Sequence, residues 1–173
     1  MNISKRVEYF ISSQTTPQDM RPRTSPLKIV PNFFSKDECD FFITLILNKS
    51  TNVTNGKELI FNSEVTAEWV WKRIKYLIPF RTVFDEHNDR WEVVGINPRF
   101  RIVRYFPTVE PQTYKANACW NSWNRKTFAT GMVYLNSTSG GATHFPSIHT
   151  TVEAVEKSLV LFLFKDLDFC GEK

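Results

Sequence analysis

The first half of the chain repeats apolar residues with the period of an α-helix. Ser35 and Glu38 have the spacing of a capping box, in which a hydroxyl and a carboxylate satisfy the free amides of a first helical turn. The apolar residues that follow with helical spacing are Cys39, Phe41, Phe42, Leu45 and Ile46. The pattern predicts a helix from about residue 36 to about 48, with an exit loop over 48–56.

A second helix is predicted after Asn62 or Ser63, because either side chain can accept a hydrogen bond from a first-turn amide. Its predicted buried side comprises Val65, Trp69, Ile74, Leu77 and Ile78, and Pro79 is expected to close it. Before both helices, the run "LKIV" at 27–30 is typical of a short strand that Pro31 ends.

The second half of the chain changes to short β-branched or aromatic runs separated by turn residues. These runs are "WEVVG" (91–95), "RFRIVRYF" (99–106), "TFATGMVYL" (127–135) and "SLVLFLF" (158–164), with a turn at "NSTSGG" (136–141). Since helices come first and strands follow, we predict an α+β fold whose second half is a sheet sandwich or jelly roll.

The length of 173 residues fits one domain with a tail. Residues 1–26 are polar and contain three prolines, so we predict a mobile tail there and a folded domain at 27–173. An apolar run long enough to span a membrane is absent, and the amino-terminal segment lacks the apolar core of a secretory signal. The prediction is an intracellular, cytoplasmic protein, with organelle import left open by the Lys, Arg and Ser residues near the start.

The charge pattern favours a solvated mixed surface over a nucleic-acid interface. The net charge is +4, but the basic residues are scattered and form no run longer than two. Three residues, Arg99, Arg101 and Arg104, lie on one predicted strand, and the first and second of these share a face that could bind an acid. The odd count of three cysteines argues against a disulfide framework.

Three segments, in one order along the chain, resemble the prolyl-4-hydroxylase-like Fe(II)/2-oxoglutarate dioxygenases. They are "GINPRFRIVRYFP" (95–107), "MVYLNSTSGGATHF" (132–145) and "VEAVEKSLVLFLFKDLDFCGE" (152–172), and "PNFFSKDECDFFI" (31–43) looks like the family's opening strand and helix. The resemblance implies a double-stranded β-helix, preceded by two or so flanking helices. It also implies iron held by two imidazoles and one carboxylate, with open positions for 2-oxoglutarate and oxygen.

The positions that match the family's iron ligands carry other residues in this chain. The family's His-x-Asp pair falls on Tyr114 and Ala116, and its second His falls on Phe169 or, with a shift of one residue, on Asp168. A phenol is an uncommon ligand and a methyl group cannot coordinate a metal. The tyrosine that often contacts 2-oxoglutarate in this family matches Val103, and the family's cosubstrate-binding Lys or Arg lies on a strand beyond the end of this sequence.

Other residues offer a weak replacement for the iron ligands. The chain has three histidines, of which His87 lies in a charged loop. The fallback candidates for a relocated metal site are His144 and His149, which would face opposite ways on a continuous strand unless "FPSI" bends the chain between them. The spacing of Asp166 and Asp168 fits one strand face, but it also fits two acids in a turn.

These residues favour a catalytically inactive member of the family that binds or scaffolds and carries neither Fe(II) nor 2-oxoglutarate. The alternatives are an active 2-oxoglutarate-dependent hydroxylase with a non-standard metal site, and a basic nucleic-acid-binding or assembly module. If the last family strand is missing, its neighbours have an uncovered sheet edge. We therefore expect a protein partner, a second copy or residues 1–26 to cover that edge.

Overall fold

The computed structural model contains two helices and fourteen strands within the residues that it describes. The backbone is described for 5–15, 27–53, 56–78, 82–84, 90–106, 113–114, 120–122, 125–163 and 169–171, and the side chains for 27–53, 56–78, 90–106 and 127–162. The helices are α1 (Lys36–Lys49) and α2 (Glu64–Ile74). The strands are β1 (Lys5–Thr15), β2 (Leu27–Val30), β3 (Thr51–Val53), β4 (Gly56–Asn62), β5 (Thr82–Phe84), β6 (Arg90–Ile96), β7 (Arg99–Tyr105), β8 (Thr113–Tyr114), β9 (Trp120–Ser122), β10 (Arg125–Tyr134), β11 (Thr143–Phe145), β12 (Thr150–Val152), β13 (Leu159–Leu163) and β14 (Phe169–Gly171).

Helix α1 begins where the capping box predicts. The Ser35 hydroxyl accepts from the Glu38 amide, and the Glu38 carboxylate accepts from the Ser35 amide. The buried side consists of Cys39, Phe42 and Ile46, whereas Phe41 is 62% exposed. The predicted exit loop is partly wrong, because residues 51–53 form strand β3 beside β4.

Helix α2 is shorter than predicted, but most of its predicted buried side does face the core: Ile74 is fully buried, and Trp69, Leu77 and Ile78 pack against the same core. Ser63 caps it, as one of the two predicted candidates, but the helix ends at Ile74 and not at Pro79, which lies outside the described residues. The prediction that Val65 is buried is wrong, since it is 81% exposed and the buried residues are Ala67, Val70 and Ile74. Neither α1 nor α2 is long and apolar enough to cross a membrane.

The strands form a ten-stranded sheet and a four-stranded sheet, so the predicted α+β class is confirmed. The large sheet has the order β2-β13-β10-β1-β7-β4-β3, with β6 also beside β1, β5 beside β6 and β9 beside β10. The small sheet has the order β12-β11-β14-β8. From β7 onward the chain moves repeatedly between the sheets, since β7, β10 and β13 lie in the large one and β8, β11, β12 and β14 in the small one.

Strand β1 corrects the prediction that residues 1–26 are a mobile tail. Residues 5–15 lie inside the large sheet, where β10 pairs with one edge along the strand and β7 and then β6 pair with the other. The sequence does carry a signal for this strand, because Val7, Tyr9, Phe10 and Ile11 are β-branched or aromatic residues, which favour strands. The pairing satisfies backbone groups on both edges, which explains why a polar segment is ordered here.

The two faces of the large sheet support two separate apolar cores. The helix-side core packs α1 and α2 against residues such as Phe100, Ile102 and Val133. The inter-sheet core packs the opposite face against the small sheet, and it includes Met132 and Phe162. Along β10 the successive residues Met132 and Val133 therefore enter different cores, as the two-residue period of a strand requires.

Candidate functional site

The first candidate site is the small sheet at the two positions matched to histidine ligands. Tyr114 of β8 and Phe169 of β14 are direct partners in the antiparallel pairing of these strands. Two positions that lie far apart in sequence are therefore neighbours, with Cα atoms about 5 Å apart as in any antiparallel pair. The third position, Ala116, and the alternative Asp168 lie outside the described residues.

A third aromatic position continues this row across the small sheet. Strands β11 and β14 pair Thr143 with Gly171 and His144 with Cys170. Continued by one residue, this register sets Phe145 opposite Phe169, and hence in line with Tyr114. The Phe145 side chain is fully buried and meets the ring of Phe162 edge to face, with centroids 5.2 Å apart.

The described part of the inter-sheet core is apolar and well packed. Its buried members are Met132, Tyr134, Phe145, Val152, Ala154, Val160 and Phe162. The buried phenol of Tyr134 donates to Thr143 Oγ1 at 2.7 Å and lies 3.3 Å from the carbonyl oxygen of Val152. Because these polar groups satisfy one another, they are not aimed at an empty ligand position.

The two fallback histidines lie at the β11–β12 connection. His144 is half-buried on β11, and its Nδ1 lies 3.0 Å from the Thr151 hydroxyl. A single 3-10 turn at Pro146–Ile148 bends the chain, and His149 follows it, exposed, with a left-handed φ of 49°. The described residues contain no group of three or more His, Cys, Asp or Glu side chains able to hold a metal ion. His87 lies outside the described residues.

Two of the described arginines form ion pairs with glutamates on neighbouring elements. The Arg101 guanidinium binds the Glu58 carboxylate across strands β7 and β4. The Arg73 guanidinium binds both carboxylate oxygens of Glu38, at 2.8 and 2.6 Å, and this hydrogen bonding is the main reason that the pKa of Glu38 is lowered. Among the described residues Arg99 and Arg104 form no ion pair, and the Nε of Arg104 is buried without a hydrogen-bond partner.

The register of β1 brings further residues to the inter-sheet face that the sequence reading did not consider. Arg6 is paired with Tyr134 on one side and with Val103 on the other. Glu8 is paired with Met132 and Arg101. Because residues directly opposite in a sheet share a face, Arg6 stands at the position beside Val103, which matches the family's cosubstrate-contacting tyrosine.

Two further features of the helix side have ordinary structural explanations. Burial raises the pKa of the Cys39 thiol to about 11, so this thiol is protonated at neutral pH and is a poor nucleophile.

An open apolar groove of about 410 Å³ lies between α1 and α2 and is lined by residues such as Phe41, Val65 and Trp69. All of its lining residues belong to the two helices, so it is not part of the inter-sheet space.

Comparison with known proteins finds similarity at the level of structure. No family model and no curated protein sequence matches the chain. A solved structure of the viral collagen prolyl hydroxylase from Paramecium bursaria Chlorella virus-1 is 19% identical, with a TM-score of 0.56, over 90% of this chain and 87% of that chain. Its structure as a 2OG complex is 20% identical, with a TM-score of 0.53, over 86% of this chain and 87% of that chain. This chain therefore has the fold of a collagen prolyl hydroxylase.

Proposed function

We propose that this chain is a prolyl-4-hydroxylase-like domain that has lost the family's iron site and acts as a binding or scaffold domain. The likeness to a collagen prolyl hydroxylase over most of both chains supports the dioxygenase-like fold. The repeated passage of the chain between two facing sheets supports the inference that this fold is a double-stranded β-helix. The inference that the chain is inactive rests on the residues at the positions matched to the iron ligands.

The row formed by Tyr114, Phe169 and Phe145 is the observation that carries the proposal. An oxygenase of this class needs two neutral imidazoles and a carboxylate on one side of Fe(II). A phenyl ring has no donor atom, and a phenol has a pKa near 10 and is protonated at neutral pH. The residues present at these positions do not fit an Fe(II) site, and the packed aromatic neighbour Phe145 fits an apolar core instead.

Anaerobic titration with Fe(II), followed by a 2-oxoglutarate turnover assay that detects succinate, tests this proposal. The native chain is expected to bind no stoichiometric Fe(II) and to form no succinate. A triple variant, Tyr114→His, Ala116→Asp and Phe169→His, restores the donor types of the family and is expected to gain Fe(II) binding. Stoichiometric Fe(II) binding with succinate formation by the native chain would falsify the proposal.

The second candidate is an active 2-oxoglutarate-dependent hydroxylase with a non-standard metal site. The register of β1 favours it, because it sets Arg6, a residue type that binds carboxylates, opposite Val103 on the inter-sheet face. If this candidate holds, 2-oxoglutarate raises the melting temperature of the native chain and the Arg6→Gln variant loses that effect. If these two imidazoles hold the metal, the double variant His144→Ala/His149→Ala loses the Fe(II) binding of the native chain.

A protein partner or a second copy at a sheet edge remains part of the proposal. Among the described strands, β8 and β12 of the small sheet and β2, β3, β5 and β9 of the large sheet are paired on one side only, so these are the edges available for strand addition. Light scattering across a range of concentrations tests self-association. A single monomer mass at every concentration, together with no captured strand peptide, would remove this part of the proposal.

A further inference from the structure

A row of cationic residues crosses three neighbouring strands on the helix-side face of the large sheet. Arg104 of β7 is paired with Lys57 of β4 on one side and with Lys5 of β1 on the other. Directly opposite residues share a sheet face, and their Cα atoms are about 5 Å apart. We call these three positions the basic row.

The basic row lies at the border of the helix-side core. The preceding row on the same face pairs Leu59 with Ile102, and Ile102 is fully buried. Lys57 and Arg104 are half-buried, and the Nε of Arg104 is buried without a hydrogen-bond partner. A charged donor in that state loses hydration without replacing it, which is unfavourable unless a ligand accepts from it.

The carboxylate nearest in sequence and register, that of Glu58, does not neutralise Lys57 or Arg104. Glu58 follows Lys57 but binds Arg101 on the opposite, inter-sheet side of the sheet. Among the described residues, neither Arg104 nor Lys57 forms an ion pair. Like charges directly opposite one another destabilise a sheet, so this arrangement needs a negative charge from elsewhere.

The backbone beside the basic row is held at a fixed spacing. Gly56 pairs with Tyr105, and a Cβ at Gly56 would overlap the Arg104 carbonyl oxygen. Strand β4 therefore approaches β7 more closely here than any other residue would permit. A fixed spacing between Lys57 and Arg104 favours one small ligand over a loose cloud of counterions.

We propose that the basic row binds a compact oxyanion of the phosphate or sulfate class. The planar guanidinium of Arg104 presents parallel N–H donors that match two oxygens of such an anion, and Lys57 adds a point charge. This site lies on the face opposite the inter-sheet space, so it is separate from any site that involves Arg6. It does not depend on the proposed loss of iron chemistry.

Thermal unfolding of the full chain in phosphate, compared with chloride at the same ionic strength, tests the site. At about ten times its Kd, phosphate is expected to raise the melting temperature of the native chain by about 3 °C. Arg104→Gln and Lys57→Gln are each expected to abolish most of this shift. The matched control is Arg99→Gln, which removes the same charge from an exposed residue of the same strand and is expected to keep the shift.

The control variants also separate the competing outcomes. An equal phosphate shift in Arg99→Gln and Arg104→Gln would show general charge screening and overturn the site. Stabilisation by an oligonucleotide but not by inorganic phosphate would also overturn it, in favour of an extended polyanion surface. If Arg104→Gln does not fold, the phosphate-induced shift of Lys57→Gln is compared with that of the native chain, and a shift of native size in this variant would overturn the site. If phosphate still raises the melting temperature of Arg6→Gln, the phosphate site is separate from the proposed carboxylate site beside Arg6.

Discussion

The two faces of the large sheet differ in how their covering layers are built. The helix side is covered by α1 and α2, which have 14 and 11 residues and strong helical patterns. The inter-sheet side is covered by the small sheet, in which no described strand exceeds three residues. Long amphipathic segments carry their own folding signal, whereas strands this short depend on partners that are distant in sequence.

The two cores also differ in chemistry. The buried residues of the helix-side core are hydrocarbon side chains and the thiol of Cys39. The inter-sheet core contains the buried hydrogen bond from Tyr134 to Thr143, and it is bordered by the positions matched to iron ligands. The comparison teaches that the two faces of one sheet can hold cores of different chemistry, because alternate residues along each strand point to opposite faces.

The largest expected effect comes from strand β1, which lies under both cores at once. Val7→Pro removes an amide from the interior of the sheet and is expected to lower the free energy of unfolding by about 3 kcal/mol or more, a large share of the total stability of a domain. Urea unfolding followed by circular dichroism measures the loss. Val7→Ala keeps the amide and should leave the chain folded, whereas native stability in Val7→Pro would restore the picture of residues 5–15 as a tail.

The next effect tests whether the inter-sheet core is as well packed as the helix-side core. Phe145→Ala and Phe42→Ala each empty a buried ring position and are each expected to cost about 3–5 kcal/mol in free energy of unfolding. Phe41→Ala, at a ring that is 62% exposed, is the control and should cost far less. A small cost for Phe145→Ala alone would indicate an open inter-sheet space and count against the inactive proposal.

A smaller effect is expected from the buried polar pair of the inter-sheet core. Tyr134→Phe removes the donor to Thr143 and leaves a buried hydroxyl without its partner, at a cost of about 1–3 kcal/mol. Tyr76→Phe is the matched control, because Tyr76 is 79% exposed and should show almost no change. Equal stability of both variants, measured by denaturant unfolding, would show that the Tyr134 bond contributes little.

The smallest expected effect is a pH dependence on the helix side. Hydrogen bonding from Arg73 lowers the folded-state pKa of Glu38, so its contribution is present above the unfolded value of about 4.3 and is lost as pH falls through the folded pKa. Glu38→Gln should therefore cost roughly 0.5–1 kcal/mol at pH 7, and the difference from the native chain should shrink in acid. Stability curves of the two proteins that stay parallel down to pH 3 would exclude this contribution.

Local signals in the sequence predicted the elements that depend on near neighbours. The spacing of Ser35 and Glu38 located the start of α1, and Ser63 was one of two candidates for the α2 cap. The buried face of α2 was predicted less accurately than its start. Val65 was expected in the core and is exposed, whereas Ala67 was overlooked and is buried. A small alanine carries little weight in an apolar pattern even when its helix face decides the packing.

The candidate site shows the same difference between features that local sequence predicts and features that depend on distant strands. Tyr114 and Phe169 were selected because the motifs place them there, and the finding that they pair depends on β8 and β14, which were not predicted. Strand β1 was missed although Val7, Tyr9, Phe10 and Ile11 favour a strand, because the polar residues and prolines that follow favoured a tail. The identity of the residues at the ligand positions was readable in advance, but their neighbours were not.

By itself, the sequence determined the α+β class, the two helices, the strands β2, β6, β7, β10 and β13, and the residue types at the ligand-equivalent positions. These follow from periodicity, capping and side-chain chemistry, which act over a few residues. Only the tertiary structure decided that β1 enters the large sheet, and that Lys5, Lys57 and Arg104 form one row. Pairing between strands is set by the joint packing and hydrogen bonding of segments about 50 to 100 residues apart, which no local pattern encodes.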